Sequence, residues 1–171
     1  IRIWENLINC EEVGIKLAFN DYATLIEVLS NSINVDEPLN NNANGIGISV
    51  KEANAAKDSR IALINSNLIT LFKANNHGIE LTTTSYFDVT QNDVDVNNIV
   101  DGTTQRGIRL ANSNYIEVEE NDIIGDGILG NAIGMDIRMS NNAVINCNPL
   151  EHLPTGVQID FPCDVFDFRT N

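Results

Sequence analysis

The chain has 171 residues, 43% of them hydrophobic, with a formal net charge of −14 and a pI near 4.2. That apolar fraction supports a sizeable core in one domain and excludes a disordered chain, and no run of about 20 apolar residues offers a membrane span. A field of this sign repels polyanions and excludes nonspecific binding to nucleic acid or an anionic membrane, so an acidic ligand would need a local basic patch or a bridging cation.

Taken in order, the chain repeats itself. The pattern apolar-x-apolar-x-x-Asn-x-apolar occurs at 1–8 with Asn6, 26–33 with Asn31, 87–94 with Asn92, 116–123 with Asn121 and 143–150 with Asn148. Positions 61–68 fit with Ser66 in the Asn place, and a last copy opens at Phe166 and reaches Asn171, so seven copies are visible. Between them runs Gly-apolar-x-apolar, beginning at Gly14, Gly45, Gly78, Gly107, Gly134 and Gly156. Each pattern alternates as a short strand does. Third strands are expected at 33–35, 68–72, 94–96 and 123–124, and three short strands fill a period of roughly 22 to 35 residues.

One coil of this kind cannot bury its inward side chains alone. Coils stacked about 4.8 Å apart can, because strand then pairs on strand and the Ile, Leu and Val positions form continuous columns. The expectation is an all-β parallel solenoid of about seven coils. Asn6, Asn31, Ser66, Asn92, Asn121, Asn148 and Asn171 fall in register as an internal ladder, each amide bonding to the coils on either side at about 1 kcal/mol net per bond.

These Gly-Ile-x-Leu and Ile-x-Val-x-x-Asn-x-Ile repeats resemble the right-handed parallel β-helix of the pectate-lyase-like superfamily, with its asparagine ladder, over essentially the whole chain. A leucine-rich repeat is the rival, since its L-x-L-x-x-N-x-L core overlaps the first pattern. It fits less well: Ala23, Asp58, Thr84, Ser113 and Ser140 stand where that family wants leucine, and the Gly-Ile strand goes unexplained. The β-helix resemblance implies a single domain over 1–171 and an extracellular or cell-surface location. It leaves two roles open: a structural or adhesive segment of a surface protein that contacts carbohydrate, or part of a polysaccharide lyase or glycoside hydrolase.

Ile1 and Asn171 both fall inside the repeat pattern, so the chain reads as a fragment of a longer solenoid. The partners expected are further coils of the parent chain or, end to end, a second copy, with polysaccharide beside them. Interruptions are expected at 36–44, 51–59 and 100–105, where binding loops could sit. Asp36, Asp101 and Asp126 lie in successive third turns and could hold Ca²⁺, yet no D-x-D-x-D-G loop is present, so no cofactor is expected. Cys10, Cys147 and Cys163 lack C-x-x-C spacing and read as packed residues.

In enzymes of the resembled superfamily the site lies on an outward strand face. Outward positions of the glycine strand read Lys16, Gly47, Glu80, Arg109, Asp136 and Gln158 in one column, and Ala18, Ser49, Thr82, Ala111, Arg138 and Asp160 in the next. Glu80, Arg109 and Asp136 would alternate in charge, with His77 beside Arg106 at the edge of the face. A lyase needs a base for the proton next to a uronate carboxylate and a cation to neutralise that carboxylate. His77, Glu80, Arg109, Asp136 and Arg138 are the catalytic candidates, although the family's G-H-G, D-P-H-E and R-x-x-K signatures are missing. Tyr86 and Tyr115, at equivalent turn sites one coil apart, are the candidates for stacking on a sugar.

Overall fold

The computed structural model describes residues 1–18, 25–36, 45–53, 62–72, 76–97, 104–127, 131–160, 163 and 166–169. Strands recur there in threes. They are β1 (Arg2–Trp4), β2 (Leu7–Cys10) and β3 (Val13–Ala18); β4 (Ile26–Leu29), β5 (Ser32–Val35) and β6 (Ile46–Lys51); β7 (Ala62–Asn65), β8 (Leu68–Phe72) and β9 (His77–Thr82). Then follow β10 (Ser85–Thr90), β11 (Asp93–Asn97) and β12 (Thr104–Ala111); β13 (Asn114–Glu119), β14 (Asp122–Gly125) and β15 (Asn131–Arg138); β16 (Ala143–Asn146), β17 (Leu150–Glu151) and β18 (Thr155–Asp160); and β19 (Phe166–Arg169).

Every third strand pairs. β1, β4, β7, β10, β13, β16 and β19 form a first sheet, while the second and third sheets have six strands each, opening with β2 and β3. All pairings are parallel. The fold is therefore a parallel β-solenoid. Its core is the alternating set each strand turns inward: Phe87 and Val89, then Val94 and Val96, then Ile108 and Leu110 in one coil, all buried, with equivalents on both sides.

A corner joins each first-sheet strand to the next second-sheet strand. Glu5, Ser30, Ser66, Gln91, Glu120 and Cys147 turn it with left-handed backbone, φ between 50° and 55°. That conformation costs a non-glycine residue about 1–2 kcal/mol. The next residue offsets the cost, since the amides of Asn6, Asn31, Asn67, Asn92 and Asn121 each donate to the following Oδ1, ending at Asn148, over 2.8–2.9 Å. The same Oδ1 accepts the backbone N–H of the preceding ladder residue.

Ser66 is not a rung. It is the exposed left-handed residue, and Asn67 takes the ladder position. The copy slips by one: Ala62, small but buried, occupies the core place expected of Ile61 and lies in register between Ile26 and Phe87, both fully buried. Asn171 lies outside the described residues, as do 37–44, 54–59 and 100–103 of the expected interruptions. Thr104 and Gln105, expected in a turn, open β12 instead.

The glycine column also shifts, by two residues in one coil. Ile15 pairs with Ile48 and Ile48 with Ile79, so Gly47 rather than Gly45 aligns with Gly14 and Gly78. Close approach explains the column: a Cβ on Gly107 would stand 2.5 Å from Ile123 Cγ2 and 2.7 Å from the Gly134 carbonyl oxygen. Only glycine lets the third sheet pass that near the second.

Candidate functional site

The register correction changes the outward columns of the third sheet. The first is Lys16, Ser49, Glu80, Arg109, Asp136 and Gln158, and the second is Ala18, Lys51, Thr82, Ala111, Arg138 and Asp160. Gly47 does not belong to the first, nor Ser49 to the second. His77 and Arg106 pair across neighbouring strands, as their spacing from the glycines implies.

All five catalytic candidates meet on this face, together with Arg106. Alternation points Glu80, Arg109, Asp136 and Arg138 away from the apolar columns, whereas His77 and Arg106, two residues before inward Ile79 and Ile108, reach the same carboxylates from beyond the glycine step. Glu80 and Asp136 are nonetheless 4% and 0% exposed. Charges of opposite sign enclose both. Arg109 Nη1 donates to Glu80 Oε1, and Lys51 Nζ lies 4.0 Å from Glu80 Oε2. Asp136 Oδ2 accepts from Arg106 Nε at 2.5 Å, and Asp136 Oδ1 accepts from Arg138 Nε at 2.8 Å. Arg138 Nε also stands 3.3 Å from Asp160 Oδ2, and Asp136 raises the Arg138 guanidinium above its ordinary range by accepting its hydrogen bond.

His77 is buried and its tautomer follows from its neighbours. Arg106 Nη1 has only hydrogens to offer, so Nε2, 3.3 Å away, accepts and Nδ1 carries the ring proton. Nδ1 then faces Glu80 Oε1 at 3.7 Å, an electrostatic contact too long for a closed hydrogen bond. Burial pushes the His77 pKa down, and the Arg106 and Arg109 charges add to this against the pull of Glu80, so the ring is neutral at pH 7. The imidazole beside it, then Arg109 and Lys51, hold the Glu80 carboxyl down at about 2 despite the opposing effect of burial.

Two properties set this face apart. Lys16, Lys51, Arg106, Arg109 and Arg138 stand against Glu80, Asp136 and Asp160, five cations to three carboxylates in a chain with only 10 Lys and Arg. Ser49 Oγ, His77 Nδ1, Thr82 Oγ1 and Arg109 Nε are also buried without a hydrogen-bond partner. Buried polar atoms are rarely left so, and they can take water or the oxygens of a ligand.

Other candidates are dispersed. Asp36 follows β5 and Asp126 follows β14, three strand spacings or about 14 Å apart, so they cannot share an ion; Asp101 lies outside the described residues. Among the described residues no group of three or more His, Cys, Asp or Glu could hold a metal, and no helix is long and apolar enough to cross a membrane. Cys10, Cys147 and Cys163 form no disulfide with one another, and burial pushes the Cys10 thiol up. Tyr86 and Tyr115 stack, centroids 4.8 Å apart, on the outward face of the first sheet.

A second ladder escaped the sequence reading. Thr84, Ser113 and Ser140, fully buried where the third sheet turns into the first, link as Thr84 Oγ1 to Ser113 Oγ at 3.1 Å and Ser113 N to Ser140 Oγ at 3.1 Å. Their spacing after Leu81, Leu110 and Ile137 was the available signal. Comparison with protein-family models, curated proteins and solved structures gives no match to this chain.

Proposed function

We propose that the chain is a structural or adhesive β-helix segment of an extracellular surface protein, one that contacts carbohydrate without cutting it. The observation that carries this reading is the closed pairing of the charged column. A general acid needs its carboxyl raised toward neutral pH, whereas Glu80 is held at about 2 and both oxygens of Asp136 already accept from arginines. This reading takes the solenoid as right-handed, of about seven coils, and a member of the pectate-lyase-like superfamily. Its supports are the parallel crossovers, right-handed in about 98% of such connections, and the asparagine ladder. Among the described residues β1, β2 and β3 are edge strands of their sheets, which favours further coils or a second copy as partner.

A second reading, part of a polysaccharide lyase or glycoside hydrolase, is favoured by the cation excess and the unpartnered polar atoms of the third-sheet face. Incubation with neutral and uronic polysaccharides, with and without Ca²⁺, separates the two. Chain lengths should stay unchanged. Depolymerisation that disappears in Arg109→Ala would overturn the scaffold reading and establish the enzyme.

A further inference from the structure

On the outward side of the first sheet, Tyr86, Tyr115 and Asn142 occupy one column. All three hold left-handed backbone, with φ of 63°, 55° and 53°, and their neighbours Ser85, Asn114 and Asn141 pair in sequence. The tyrosine rings stack within 5° of parallel at a centroid distance of 4.8 Å, the strand-to-strand spacing of the coils. Asn142 is too short to continue the stack. One face of Tyr115 is consequently open, the residue being 49% exposed, and a groove of about 240 Å³ forms there between Tyr86, Asp88, Tyr115, Glu117, Asn142 and Val144.

The walls of this groove differ in chemistry from its floor. Glu117 and Val144 are outward neighbours on adjacent strands, and neither Glu117 nor Asn142 is engaged by another described side chain. An aromatic face one strand spacing deep, flanked by an amide and a carboxylate, fits a flat ring that carries hydroxyls on its edge. We infer that this groove binds one pyranose ring of a neutral glycan, stacked on Tyr115, with the Asn142 amide and the Glu117 carboxylate bonding to its hydroxyls. The volume suits a single small ring, below the span of sites for larger ligands. Glu117 repels a uronate, and a purely aromatic ligand would desolvate Glu117 and Asn142 without giving them partners. The inference deepens the adhesive reading and rests on it.

Calorimetric titration of the whole chain with cellohexaose, xylohexaose, mannohexaose and chitohexaose tests it, with trigalacturonate and indole as the charged and aromatic comparisons. At least one neutral oligomer should bind, and Tyr115→Asn and Asn142→Tyr should each weaken it about tenfold or more. Asn142→Tyr is the sharper variant because it both extends the ring stack into the groove and removes the amide that bonds the sugar; Tyr115→Asn, whose new residue tolerates left-handed backbone, serves if that chain fails to fold. No binding by any of the four oligomers overturns the inference, as does binding that survives both substitutions. Trigalacturonate or indole binding that is lost in Tyr115→Asn overturns the ligand class. If neutral oligomers fail while polysaccharides stay uncut, only the groove assignment falls; depolymerisation lost in Arg109→Ala removes the reading beneath it.

Discussion

Replacing Asn121 by Ala removes one rung from the middle of the ladder, and the structure sets the size of the loss. The Asn121 amide is fully buried and makes five hydrogen bonds. Its Oδ1 accepts from Asn92 N at 3.1 Å and Asn92 Nδ2 at 2.8 Å, and its Nδ2 donates to Asn148 Oδ1, Val89 O and Glu119 O. Asn92 keeps its bonds to the Ile64 and Thr90 carbonyls through Nδ2, but its buried N–H, which donates to Asn121 Oδ1, loses that acceptor. One orphaned donor and three under-satisfied acceptors, at about 1–3 kcal/mol for the first and less for carbonyls with other partners, give a loss of about 3–5 kcal/mol. Urea unfolding followed by circular dichroism measures it, with Ser66→Ala as the control, since Ser66 is the exposed corner residue next to rung Asn67. Asn6→Ala, on the outermost and solvent-exposed rung, should cost less than Asn121→Ala. An Asn121→Ala chain within about 1 kcal/mol of Ser66→Ala would refute the reasoning, because buried amides worth so little could not hold left-handed corners in place.

Other outcomes follow from the same geometry. Thr83→Asn should raise stability by about 0.5–1 kcal/mol, because an exposed β-branched residue at φ 56° gives way to one that tolerates left-handed backbone; a lower urea midpoint counts against the strain. Gly107→Ala should destabilise by about 1–3 kcal/mol through overpacking against Ile123 and the Gly134 carbonyl. Gly156→Ala, whose nearest neighbour would be 3.6 Å away, should be tolerated in the same unfolding assay. Glu80 has its folded pKa lowered from 4.5 to about 2, so the stability it contributes is fully present above pH 4.5 and is lost as pH falls toward 2. Urea midpoints at pH 6 and pH 2.5 should therefore differ more for the native chain than for Glu80→Gln. Equal differences would show that Glu80 is not the linked group.

The charged face was legible by residue type but not by pairing. Alternation placed Glu80, Arg109 and Asp136 in one outward column, and the strands keep them there. That Arg106 reaches across to Asp136, or that Arg138 turns back to Asp136 on its own strand, depends on side-chain reach, which period-two patterning does not encode. The slips at Ser66 and Gly47 have the same root: both follow stretches of sequence where the repeat period breaks, and there a neighbouring Ile61 or Gly45 fits a linear pattern as well as the true residue does.

Strand, corner and core were properties of the sequence by itself, because each repeat carries the same alternation and the same polar corner residue, and stacking then brings like onto like. Five of the rungs, Asn6, Asn31, Asn92, Asn121 and Asn148, could be named before any coordinate. Only the tertiary structure decided what the unlike residues do. A phenylalanine comes into register with an alanine, two carboxylates are buried among arginines, and Asn142 ends a tyrosine stack, each a relation between residues roughly one coil apart that the intervening chain does not record. Their physical basis is the about 4.8 Å approach of stacked strands, which makes neighbours of side chains about 25 to 30 residues distant in sequence.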